Sequence, residues 1–70
     1  MTPVSKFSTQ ANLDKVNSAL DQLEEAVREG ELAVQAGVPG AQAALDGIKS
    51  KLSDLQKFKA VYFPGGVATA

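Results

Sequence analysis

Asp21, Glu25 and Glu29 stand four residues apart, a spacing that stacks their carboxylates on one face of a helix. Carboxylates gathered in this way are the donors a hard divalent cation takes, but such an ion asks for about six to eight oxygens in a well-formed cage. The commoner meaning of the spacing is a solvated helix face, and Arg28 follows Glu24 by four residues as an ion-pair partner. No metal site is expected. Catalytic groups do not assemble either. The chain has no cysteine and no histidine, so it lacks a thiolate nucleophile, an imidazole base and the usual partner for an activated serine or threonine. Gly37-Val38-Pro39-Gly40 has neither the spacing nor the lysine of a phosphate-binding loop. The expectation is a non-enzyme with no catalytic, cofactor-binding or metal-ligating residues and no small-molecule substrate.

Composition removes other classes. A net charge of −1 gives no basic surplus with which to neutralise phosphates. The absence of tryptophan and the small aromatic content leave little on which bases could stack. No stretch approaches the roughly 20 apolar residues that span a bilayer, and Met1-Thr2-Pro3-Val4-Ser5-Lys6-Phe7 lacks the apolar core of a signal peptide. A soluble protein, cytoplasmic or virion-associated, is expected, with no nucleic acid and no membrane insertion.

The apolar spacing then sets the elements. Residues 1–7, with Pro3, read as an extended arm. A helix is predicted over about 8–36, opened by Ser8 or Thr9, whose hydroxyl can accept from an unpaired amide of the first turn. Leu13, Val16, Leu20, Leu23, Val27 and Val34 recur at alternating steps of three and four, with Gly30 filling the missing place. That is a heptad seam of coiled-coil type. Gly30 lowers local stability by about 1 kcal/mol, yet the phase continues through it, so one long helix is expected. Gly37 can take the left-handed conformation past the helix end, Val38 can pack back on the last turn, and Pro39 can open a second helix. The second helix is placed over about 39–62, with a seam of Leu45, Ile48, Leu52, Leu55, Lys59 and Tyr62. Residues 63–70 read as an extended C-terminal tail, and 8–62 as an antiparallel helical hairpin, because so short a connection forces the helices side by side. The first helix is acidic and the second basic, a combination expected to favour their pairing. No repeat beyond the heptads and no low-complexity segment is present.

Seventy residues bury too little apolar surface to be comfortably stable alone. Without disulfides or thiolate metal sites, association with other protein chains, self-association first, is the remaining device. Two surfaces are candidates. Ala19, Ala26 and Ala33 lie seven apart, each one residue before a seam position, and small side chains there let another helix approach closely. At the open end of the hairpin, Phe58, Val61, Tyr62 and Phe63, with Leu55, spread over too wide an arc for one seam. Opposite them should lie Leu13, Val16 and Phe7. The competing arrangement has the terminal arms folding back over this end. If the surface is open, Phe58→Ser or deletion after Tyr62 should weaken assembly while sparing the helices. Leu23→Asp or Leu52→Asp should instead collapse them.

Function is therefore expected to be structural: a small helical subunit of a larger homo- or hetero-oligomeric assembly, such as a phage virion component or a secretion filament. The alternative is an adaptor, chaperone or inhibitor that takes one partner helix into its groove. The proline-marked loop followed by a heptad helix is similar to needle subunits of secretion systems. The Pro64-Gly65-Gly66 ending departs from their long terminal helix, and no family is assigned on this basis.

Overall fold

Thr9, not Ser8, opens the first helix. The computed structural model describes residues 6–69. In it α1 spans Gln10–Gln35 and α2 spans Ala41–Tyr62, followed by one 3-10 turn at Pro64–Gly66. Thr9 is extended, and its hydroxyl accepts from the Asn12 amide at 3.3 Å. Among the described residues the chain is all-helical, and its two helices pack against each other. Of the N-terminal arm expected over 1–7, residues 1–5 lie outside the described region.

The end of α1 follows its glycine. Gly37 has φ +76°, its amide donates to the Val34 carbonyl at 3.0 Å, and the Val38 amide donates to the Ala33 carbonyl at 3.0 Å. These paired bonds are the double closure by which a left-handed residue satisfies the last carbonyls of a helix. Val38 supplies its amide more than its side chain, which is exposed. The second helix starts two residues later than Pro39 suggested. Gly40 also sits at φ +76°, and its carbonyl accepts the first helical bond, from Ala44, at 3.1 Å. A left-handed residue cannot lie inside a right-handed helix, so the helix cannot reach back to Pro39.

The contacts run in opposite directions along the two helices. Gly30 meets Leu45, Asn17 meets Lys59 and Ser8 meets Tyr62. Gly30 has a packing role that the seam only hinted at: a Cβ built there would stand 3.0 Å from Leu45 Cδ1, so its bare backbone seats a buried leucine. Leu13, Val16, Leu20 and Phe63 form the main core, with Leu52, Leu55, Phe58 and Ala68 packed around it. Near the loop, Ala41 and Leu45 are buried as well.

Charge contributes less to the pairing than its distribution suggested. The acidic side chains of α1 are all exposed, as are Lys49, Lys51 and Lys57 of α2. Among the described residues the ion pair formed is Glu25 with Arg28, inside α1. Arg28 thus takes the carboxylate three residues before it, not Glu24. The polar contact between the helices is instead Lys59 Nζ donating to Asn17 Oδ1 at 2.7 Å.

The C-terminal segment does not simply extend. Phe63 turns its ring into the core, with 0% exposure. Gly65 and Gly66 adopt left-handed conformations at φ +73° and +76°. Val67 is extended, Ala68 packs on the core, and the Thr69 amide donates to the Ser8 carbonyl at 3.0 Å. The tail folds back over the start of α1. The resulting rod measures 49 × 19 × 16 Å with a radius of gyration of 15.1 Å, against about 11 Å for a compact domain of this length.

Candidate protein interface

The chain's aromatic residues, three Phe and one Tyr, meet at the open end of the hairpin. Phe7 is the hub. Its ring stands edge-on to Phe58 at 5.3 Å and to Tyr62 at 5.6 Å, and tilted to Phe63 at 5.9 Å. Phe58 and Tyr62, one turn apart on α2, are 4.6 Å from each other. Such edge-to-face pairs add about 0.5–1.5 kcal/mol each beyond the area they bury. Phe7, three residues before the start of α1, is therefore tied to the last two turns of α2 by ring packing.

Ser8 ties the same ends by hydrogen bonds. Its side chain is 2% exposed, and its hydroxyl donates to the Tyr62 carbonyl at 2.5 Å. That carbonyl belongs to the last turn of α2, where no further helical amide follows to bond it. The Ser8 carbonyl accepts from Thr69, so one residue joins three segments. Asn12 Nδ2 donates to the Phe7 carbonyl at 2.8 Å, which fixes the entry of the chain into α1. From sequence Ser8 reads only as a cap for α1, and neither Asn17 nor Ala68 stands out. A small hydroxyl next to a second capping residue was the available signal for Ser8; nothing in the heptads marked Asn17 or Ala68.

The residues expected at an interface divide. Phe63 is interior and closes the end of the core, so it presents nothing to a neighbour. Phe58 is half-buried against the core. Val61 is 70% exposed, Phe7 38% and Tyr62 36%, and Val67 from the returning tail adds 57%. The end is partly roofed by the tail and still carries an apolar rim. Ala19, Ala26 and Ala33 are all half-buried on the flank of the seam.

Two shallow depressions lie on the helices. One, of about 350 Å³, is lined by Asp14, Lys15, Ser18, Ala19 and Gln22. The other, of about 370 Å³, is lined by Lys51, Asp54, Leu55 and Phe58. Among the described residues no group of three or more acidic side chains is placed to hold a metal ion, so Asp21, Glu25 and Glu29 do not converge. No described helix is long and apolar enough to cross a membrane. No protein-family model matches the chain, and no curated protein or solved structure shows significant similarity to it. The functional reading therefore rests on the surface itself.

Proposed function

We propose that this chain is a non-enzymatic assembly subunit, a helical hairpin that completes its burial against other copies of itself or against neighbouring subunits. The observation that carries the reading is surface. The chain exposes 4906 Å², where a compact protein of 7.3 kDa would expose about 4,200 Å². At one end the surface carries an apolar rim of Phe7, Val61, Tyr62 and Val67, and exposed apolar patches of this kind mark contact sites. Phage virions and secretion filaments are the class of assembly that such a rod suits. A second reading, an adaptor that accepts one foreign helix, is favoured by the half-buried alanines bordering the groove of the hairpin.

Mass by light scattering across a concentration series, paired with helicity by circular dichroism, separates the two. A helical oligomer or polymer whose mass grows with concentration is the expected result. A chain that stays monomeric at every concentration would sink the subunit reading and bring the adaptor forward.

A further inference from the structure

We propose that two copies of the chain dock face to face, antiparallel and about a two-fold axis, on the flank of the hairpin opposite the Asn17–Lys59 bond. This deepens the assembly reading and rests on it. A packed helix pair has two flanks, and the bond from Lys59 to Asn17 marks one of them. Glu24 and Glu31 continue the Asn17 row at intervals of seven residues, so that flank of α1 is polar and acidic. The other flank is marked by Asn12, which holds the Phe7 carbonyl, while the Phe7 ring packs on Phe58 and Tyr62. Ala19, Ala26 and Ala33 continue the Asn12 row at the same interval. Asn17 and Ala19, two residues apart, are separated by about 200° around the helix. The two flanks therefore differ: one carries the half-buried alanines, Leu55, Phe58, Phe7 and Tyr62, with the exposed Lys51 and Asp54 of α2 beside them, and the other carries asparagine and carboxylates on α1. One depression borders this flank through Ala19 with Lys15 and Gln22, and another through Leu55 and Phe58 with Lys51 and Asp54.

Charge points to a second copy as the occupant. Along the rim beside the alanines run Lys15, Gln22 and Glu29, again seven apart, all exposed. Neither Lys15 nor Glu29 has an ion-pair partner among the described residues. A row that is positive at one end, neutral in the middle and negative at the other is complementary to itself reversed. About an axis at Gln22, Lys15 faces Glu29 of the second copy, Glu29 faces its Lys15, and Ala19 comes within one residue of its Ala26. A parallel pair, about a two-fold along the rod, would instead set α1 on α2 of the second copy and leave Lys15 and its partner's Glu29 at different levels. The levels fixed by Gly30 with Leu45 and Asn17 with Lys59 put the same axis near Ser53 on α2, which brings Phe58 toward Ile48 of the second copy. A two-fold face of this kind is self-complementary by construction.

The chain has no cysteine, so one introduced thiol reports one position. Gln22→Cys lies on the axis and is expected to give a disulfide-linked dimer on mild oxidation, while Glu24→Cys, on the opposite flank, stays unlinked. Lys15→Glu is expected to raise the dimer dissociation constant about tenfold at low salt, and Lys15→Glu combined with Glu29→Lys to restore it, with helicity unchanged throughout. If the chain self-associates but only Glu24→Cys links, or the double reversal fails to recover affinity, the face and register are wrong while the assembly reading stands. If the unmodified chain remains monomeric and neither thiol links, the assembly reading falls together with the dimer.

Discussion

Ser8 shows how much one small side chain can hold. Its hydroxyl satisfies a carbonyl at the end of α2, and its carbonyl anchors the tail, all with the side chain 2% exposed. Removing one partner of a buried bond costs about 1–3 kcal/mol, because the other is left dry and unpaired. Ser8→Ala is therefore expected to lower Tm by several degrees, at about 4–8 °C per kcal/mol for a domain of this size. Ser53→Ala, on an exposed helix position, should leave Tm equal or slightly higher. An unchanged Tm for Ser8→Ala would show that water replaces the hydroxyl at Tyr62. The two helix-interior glycines make a sharper contrast, because their contexts predict opposite signs. Gly47 has open space where a Cβ would go, so Gly47→Ala should stabilise by about 0.5–1 kcal/mol through helix propensity. Gly30 seats Leu45, so Gly30→Val overpacks a closed contact and should destabilise by about 1–3 kcal/mol. Urea midpoints that move in the same direction for both would mean the helices separate easily at Gly30.

At the scale of elements, the C-terminal segment behaves as part of the core. Phe63 is fully buried and Ala68 packs beside it, so deletion after Tyr62 removes burial that the two helices cannot replace. Phe/Trp→Ala changes in cores cost about 3–5 kcal/mol, which matches the whole stability that a core of this size usually supplies. Phe63→Ala, and deletion after Tyr62 still more, should reduce helicity by circular dichroism. This reverses the expectation that truncation spares the helices; full helicity in the truncated chain would return the tail to the role of a free arm. The helices themselves were legible because heptad spacing and the Gly37 stop act locally. The expected start of α2 falls two residues early because Pro39 suits a first helical turn, while the left-handed Gly40 that rules it out is set by how the loop closes. Phe63 reads as a surface residue in sequence for a related reason. It lies just past the end of the helical phase, and only the turn at Gly65 and Gly66 shows that the chain doubles back to bury it.

At the scale of the whole molecule, the rod has two kinds of free surface, and they imply different outcomes. A two-fold face closes on itself, so the proposed flank alone stops at two copies. Growth into a ring, tube or shell needs a second contact, and the exposed end with Val61 and Val67 supplies a candidate. Val61 is the position at which to test it, because its side chain is 70% exposed and carries little of the fold. A lysine there also stands near the C-terminus of α2, where the helix dipole favours positive charge. Val61→Lys should therefore keep the stability of the folded unit within about 0.5 kcal/mol. Light scattering at high concentration should show the larger species lost, with the dimer retained. Loss of the dimer as well would mean that the end, not the alanine flank, makes the first contact. An unmodified chain that never exceeds two copies would mean the end does not propagate assembly, leaving a closed dimer in place of a building block.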